Sequence, residues 1–252
     1  MEEKLNVDKI KGTLEILIQE KIVDTTKESL YSKIALSYID REEYYTAAGL
    51  YLEAGMINDA VNVLIQIGQP FIAGRIYKEN GMKDQELELY EQNSECEDYT
   101  LRTRIFLLKK AAMMNGEKGD FASSLTNYRK ALNLSYKDGD SLSDWLVVDT
   151  AKCLIELDSL DEAYQLYRDR AVFLEREGKT LRSAEFWILG GSEEKAKEVV
   201  DKKKHLFVPV SPHGYDRGKC YRSMSLNELM REVYDGSILN YESKHTIFSS
   251  GF

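Results

Sequence analysis

Small and apolar residues recur along this chain in a pattern that is found five times. A small residue is followed three positions later by an aromatic or apolar residue. A turn former then comes four positions on, and a second small residue and a second apolar residue follow it. The clearest copy is Ala48, Tyr51, Gly55, Ala60 and Leu64. The other copies, each with exceptions, are Gly74, Tyr77, Gly81, Glu86 and Tyr90; Ala112, Asn115, Gly119, Ser124 and Tyr128; Ala151, Leu154, Asp158, Ala163 and Tyr167; and Ala184, Trp187, Gly191, Ala196 and Val200. A period of this length is typical of stacked helical hairpins.

Helical spacing in the clearest copy predicts both helices of a hairpin. The first helix would bury the stripe Tyr44, Ala47, Ala48, Tyr51 and Ala54, and the second would bury Ile57, Ala60, Val61, Leu64 and Ile65. Gly55 tolerates the positive φ that the reversal between them requires. Asn58 or Asp59 is expected to cap the second helix or to place a charge at its start.

The two ends of the chain depart from the repeat. Two amphipathic helices are predicted before it, the second starting near Thr26, and they would cap the open end of the stack. After Lys204, turn-forming residues predict a loop or extended strap, and Ser225 can start a last capping helix. We therefore predict N-terminal capping helices over 1–40, helical repeats over 41–204, and a strap with a capping helix over 205–252.

Composition favours an all-α protein of the cytoplasm. The 252 residues are 43% hydrophobic and include only three prolines, which leaves long stretches open to helix formation. The N-terminus lacks the features of a secretory signal, and no window of about 18 residues is free of charge and apolar enough to cross a bilayer. Cys96, Cys153 and Cys220 are few, odd in number and far apart, so we interpret them as reduced thiols.

The formal net charge of -9 disfavours nucleic acid as a partner, because binding phosphates requires a positive surface. The charge is unevenly distributed. Residues 29–100 carry 5 basic and 13 acidic side chains, whereas residues 101–140 carry 8 basic and 4 acidic ones. A local basic surface is therefore compatible with the acidic total.

Two of the copies carry a recognisable family signature in their second helices. The third contains Gly119, Asp120, Phe121, Leu125, Tyr128, Ala131 and Leu132, and the fourth contains Leu160, Asp161, Glu162, Ala163, Leu166, Tyr167 and Ala171. Over about residues 40–203 the chain thus resembles the tetratricopeptide (TPR) and SNAP-like helical-repeat families. The small first-helix positions are 26, 38, 39 and 33 residues apart, against a regular family period of about 34. Asp158 replaces a turn glycine, and Glu86 occupies a usually small position. The resemblance implies a right-handed superhelical array of antiparallel helix hairpins with degenerate repeats.

The same resemblance implies a binding groove lined by the first helices of successive hairpins. Transferred onto this sequence, the groove presents Tyr45, Glu53, Arg75, Lys78, Lys109, Met113, Lys152 and Glu156. Its centre is basic and its margins are acidic, which suits an acidic peptide, a partner's carboxy-terminus or a phosphorylated segment. The asparagines of the family's carboxylate-clamp variant are missing, so chaperone tails are not expected. Ordinary solvated lysines remain the alternative interpretation.

The sequence offers little sign of catalysis. It lacks nucleophile elbows, HExxH, phosphate loops and dinucleotide-binding motifs. His205, His213 and Cys220 could ligate zinc, but their gaps of 8 and 7 residues are longer than those of usual zinc modules.

We therefore expect a non-enzymatic interaction scaffold or adaptor without a cofactor. Its partner would be another protein or a subunit of a larger complex. A regulatory peptide or ligand sensor is one alternative, and a metal-dependent factor or enzyme using the C-terminal histidines is another. Whether the chain forms a homo-oligomer stays open.

Overall fold

The computed structural model describes residues 26–137, 143–201, 207–209 and 221–223. This part of the chain is almost entirely helical. The helices are α1 (Lys27–Ile39), α2 (Tyr44–Glu53), α3 (Ile57–Gln66), α4 (Pro70–Glu79), α5 (Lys83–Ser94), α6 (Leu101–Glu117), α7 (Phe121–Lys137), α8 (Ser143–Glu156), α9 (Leu160–Arg176), α10 (Thr180–Leu189) and α11 (Glu193–Asp201). The predicted all-α class is confirmed.

The chain divides into two compact units between Thr100 and Leu101, and we call the part up to Thr100 unit 1 and the part from Leu101 unit 2. In unit 1, consecutive helices pack against each other from α1 to α5, and in unit 2 they do so from α6 to α11. The five sequence copies correspond to the antiparallel hairpins α2–α3, α4–α5, α6–α7, α8–α9 and α10–α11. We call α2, α4, α6, α8 and α10 the first helices. The predicted domains 1–40, 41–204 and 205–252 stay a prediction.

Turns of three or four residues make eight of the connections between described helices, and each of these turns places one residue in the left-handed region. Gly55 (φ 77°) ends the clearest first helix. The Met56 N–H then donates to the Tyr51 carbonyl at 2.8 Å. This carbonyl lies in the last turn of α2 and would otherwise have no hydrogen-bond donor within the helix. Glu42 (φ 62°) and Asp158 (φ 61°) adopt the same conformation without being glycine. The sequence pattern predicted the turn at Asp158 but not the one at Glu42.

Capping follows the predictions at one helix and departs from them at another. The Thr26 hydroxyl accepts a hydrogen bond from the Ser29 N–H at 3.2 Å and so starts α1 as predicted. Met56 is the N-cap of α3, and it makes no side-chain cap. The expectation that Asn58 caps this helix is wrong, because its amide oxygen accepts from the Tyr77 hydroxyl at 3.1 Å instead. Asp59 does lie in the first turn, where its charge is favourable.

The core of each unit is built from the repeated positions. Ala48 and Ala60 are buried in unit 1, where α2 packs on α3. In unit 2 one hydrophobic cluster extends from Ile105 on α6 to Phe186 on α10. Each large apolar side chain buried there contributes about 1.5–3 kcal/mol.

A short antiparallel pair follows the helices. Strand β1 (Phe207–Pro209) pairs with β2 (Tyr221–Ser223), and Val208 lies opposite Arg222. Both strands fall in the segment for which the sequence predicts a loop or strap. The first N-terminal helix, the helix predicted after Ser225, and His205, His213 and Cys220 lie outside the described residues.

Candidate functional site

The five first helices can be compared at the same positions relative to their small residues. Each helical residue is rotated by about 100° about the helix axis from the one before it. The residues three before, one after and four after the small residue that opens each copy therefore lie within about 60° of one another around the helix axis. We call these positions the first-helix stripe. It consists of Tyr45, Gly49 and Leu52; Phe71, Arg75 and Lys78; Lys109, Met113 and Gly116; Val148, Lys152 and Ile155; and Leu181, Glu185 and Ile188.

Large hydrophobic side chains are exposed at this stripe in both units. Tyr45 is 60% exposed and Phe71 is 40% exposed in unit 1, while Met113 is 41% and Ile155 is 42% exposed in unit 2. Leu52 is also exposed. On α10 the stripe is covered, because Glu185 and Ile188 are buried. The uncovered stripe therefore lies on α2 and α4 in unit 1 and on α6 and α8 in unit 2.

All eight residues predicted to line a groove lie on first helices. Seven of them are exposed: Tyr45, Glu53, Arg75, Lys78, Met113, Lys152 and Glu156. Lys109 is the exception, since its side chain is half-buried. Whether these residues contact a partner stays a prediction.

The predicted cations have acidic neighbours on their own chain. Arg75 lies 3.8 Å from the Glu79 carboxylate one turn further along α4, and both side chains are 67% exposed. Lys152 lies 3.8 Å from Asp149 on α8. An exposed pair of this kind is worth at most about 1 kcal/mol, so it can exchange partners easily.

Aromatic rings and cations join α6 to α8. The Lys109 ammonium lies 3.7 Å from the centre of the Trp145 ring, a distance typical of a cation–π interaction. Trp145 in turn stacks on Phe106 with 6.3 Å between the ring centres. Arg102 lies 6.0 Å from the Phe106 ring. The surface of these two helices thus combines positive charge with aromatic area.

Asp149 carries the negative charge at this surface. Its side chain is 26% exposed. Burial raises the pKa of its carboxyl group, and the nearby Lys109 and Lys152 oppose that rise. Burial likewise lowers the pKa of Lys109, and the Asp149 carboxylate acts in the opposite direction. The two charges therefore stabilise each other in a partly desolvated place.

Two repeat tyrosines lie behind this surface. Tyr128 on α7 and Tyr167 on α9 are each 5% exposed. Burial, together with the Asp149 charge, raises the pKa of Tyr167 to about 12. It raises the pKa of Tyr128 as well. Both phenols are thus neutral core groups, and the Asp149 charge acts on each of them.

Sequence reasoning missed three residues of this surface. Phe106 and Trp145 each lie six residues before the small position of their hairpin, so aligning the copies further upstream would have found them. Asp149 has no such signal, because the equivalent residue of the third copy is Lys110.

The described part offers no other chemistry. Within residues 26–137, 143–201 and the two strands, no group of three or more His, Cys, Asp or Glu side chains could hold a metal ion. No helix among them has the length and apolar character needed to traverse a bilayer. Cys96 and Cys153 are free thiols.

Comparisons with known proteins find solved structures of low overall similarity to this chain. Two crystal structures from Podosopora anserina show nearly identical TPR-like repeats assigned to a kinesin light chain. Each is 14% identical to this chain and covers 64% of it, with a TM-score of 0.38. The matches span 91% and 92% of those chains. No protein-family model matches, and no curated protein is significantly similar. Its own helix order and the packing of consecutive helices show an all-α array of helical hairpins in each unit.

Proposed function

We propose that this chain is a non-enzymatic scaffold or adaptor that binds a segment of another protein on the first-helix stripe of one of its two units. The segment is an extended peptide or a helix, and binding needs no cofactor. The scaffold acts in the cytoplasm, which suits the three widely spaced cysteines.

One observation carries this proposal. Exposed side chains occupy the same stripe position on neighbouring first helices within each unit, as Tyr45 and Phe71 do on α2 and α4 and as Met113 and Lys152 do on α6 and α8. Single exposed apolar side chains are ordinary, but contiguous exposed apolar patches mark interaction sites. Repetition in register supports the second interpretation.

The chemistry of the stripe indicates the kind of segment. Aromatic and aliphatic side chains offer apolar contact area, while Lys109, Lys152, Arg75 and Lys78 attract negative charge. A segment that alternates acidic with apolar residues satisfies both. Basic segments would face like charges and are excluded by the same argument.

Peptide selection tests the proposal. A random peptide library displayed on phage is panned against the full chain, and the affinity of the selected peptides is measured by fluorescence anisotropy. We expect acidic and apolar residues to be enriched. The double substitution Lys109→Glu with Lys152→Glu should weaken binding at least tenfold if unit 2 is used, because each reversal replaces attraction by repulsion. Arg75→Glu with Lys78→Glu is the corresponding variant for unit 1.

Lys130→Glu is the matched control, since Lys130 is an exposed lysine on the second helix α7. Its affinity should equal that of the wild type. Equal binding by all variants, or selection of peptides without acidic residues, would show that the stripe is not the binding surface.

A further inference from the structure

Asp149 occupies the place at which an acidic partner would be expected to bind. Its Oδ1 atom lies 3.8 Å from the Lys152 ammonium, and its charge acts on Lys109 across the α6–α8 surface. Lys109 is held over the Trp145 ring at 3.7 Å. The chain thus supplies its own carboxylate to the two lysines that the proposed function assigns to a partner.

We propose that Asp149 is an internal counterion of the acidic-segment site, that it competes with the partner's anionic groups for Lys109 and Lys152, and that binding tightens when Asp149 is neutralised. This inference rests on the proposed function. It adds a specificity-determining residue and a pH dependence to it.

Electrostatics sets the direction of the effect. An ionised Asp149 cancels one of the two lysine charges and repels an incoming carboxylate, phosphate or sulfonate. A neutral Asp149 removes that repulsion and leaves both ammonium groups to the partner. Since one partly exposed ion pair is worth up to about 1 kcal/mol, the expected gain in affinity is about two- to fivefold.

The ionisable groups around Asp149 determine whether acidification strengthens binding, since their own charges must stay unchanged while Asp149 is neutralised. Its electrostatic neighbours are Lys109 on α6, Lys152 and Cys153 on α8, Tyr128 on α7 and Tyr167 on α9. Lys110 acts on Lys109, and Glu156 acts on Cys153. Acidification leaves the lysines charged and the tyrosines and the thiol neutral.

Burial raises the pKa of Asp149, so its protonation begins at a higher pH than that of an ordinary aspartate. An anionic segment should therefore bind more tightly as the pH falls into the range in which Asp149 is protonated.

The first test measures affinity against pH. The probe is an acidic peptide from the selection, resynthesised with cysteic acid in place of Asp and Glu, because sulfonates keep their charge between pH 5 and 8. The wild type should bind it more tightly as the pH falls below 8, and the gain should reach about two- to fivefold where Asp149 is protonated. Asp149→Asn should bind tightly throughout the pH range. Asp169→Asn is the control, since Asp169 is an exposed aspartate on the second helix α9, and it should behave as the wild type does.

The second test needs no partner. Trp145 and Trp187 are the only tryptophans, so Trp187→Phe leaves Trp145 as a reporter beside Lys109. Its emission should change as Asp149 titrates, and Asp149→Asn should abolish that transition. Circular dichroism verifies that the fold is kept.

The outcomes separate the two proposals. If the peptide binds but Asp149→Asn leaves affinity and pH dependence unchanged, the counterion role is overturned while the proposed function stands. If no acidic peptide binds to any variant, the proposed function fails. An emission transition that persists in the Asp149→Asn protein overturns the counterion role independently.

Discussion

Gly49 and Gly74 both lie inside first helices of unit 1, and their surroundings are opposite. A Cβ atom added to Gly49 on α2 would meet nothing within 4 Å. One added to Gly74 on α4 would lie 2.2 Å from the Tyr90 hydroxyl oxygen and 2.5 Å from atoms of its ring. Tyr90 is 4% exposed and cannot move aside freely. One glycine is therefore required by packing and the other is not.

Alanine substitutions should separate the two cases. Gly49→Ala should raise the free energy of unfolding by about 0.5–1 kcal/mol, because alanine loses less backbone entropy in a helix. Gly74→Ala should lower it by about 1–3 kcal/mol through overpacking. Urea unfolding followed by circular dichroism measures both. A stabilised Gly74→Ala protein would contradict the close packing of Tyr90 on α4.

Residue-level prediction from the sequence worked where an interaction is local. Thr26 caps α1 three residues away, and such a cap is visible in sequence. Asn58 bonds with Tyr77, nineteen residues away, and the charge of Asp149 acts on Lys109. Pairings over such distances depend on how helices pack, so the helical period cannot reveal them.

Helix-to-helix turns are the most regular elements of the described part. Three residues separate α2 from α3, α6 from α7 and α8 from α9. The middle residue is left-handed in each, as at Gly55, Gly119 and Asp158. Non-glycine residues pay a steric penalty there, which is smaller for Asp than for most others.

Exchanging residues between two such turns tests that penalty. Asp158→Gly should stabilise unit 2 by about 0.5–1 kcal/mol, since relief of the left-handed strain exceeds the added flexibility of the unfolded chain. The reverse exchange in the preceding hairpin, Gly119→Asp, should destabilise it by a similar amount. Thermal unfolding by calorimetry measures both. Equal melting temperatures for both variants and the wild type would refute a strained turn.

Sequence periodicity predicted the turns within hairpins and the helices on both sides of them. It did not include Gly68 and Gly178, which make equivalent turns between hairpins, because the pattern was read from one hairpin to the next. The short strand pair also escaped prediction. A three-residue strand gives too few alternating positions to be distinguished from a loop.

Charged groups connect successive hairpins of unit 2 at the scale of the molecule. The Arg170 guanidinium on α9 donates to Asp144 on α8 at 2.7 Å, and its side chain is 2% exposed. Arg182 on α10 lies 3.3 Å from the same carboxylate and 2.7 Å from Glu185. Three helices thus share one buried ionic network.

Removing one side chain from this ionic network should destabilise the fold. Arg170→Ala should lower the free energy of unfolding by about 3–5 kcal/mol, because the carboxylate left behind stays partly buried with less compensation. Arg129→Ala is the matched control. Arg129 pairs with Glu162 between α7 and α9, but both side chains are about half exposed, so the loss should stay below about 1 kcal/mol. Equal losses in chemical unfolding would contradict a buried network.

Few of the described residues lie outside helices, and this affects the conformational entropy that is lost when a partner binds. A hairpin whose helices are joined by a three-residue turn has almost no conformational freedom to lose when a partner binds to it. The entropy of ordering therefore falls on the bound segment. A partner that is already helical or rigid before binding should gain affinity, whereas stiffening the scaffold should add almost none.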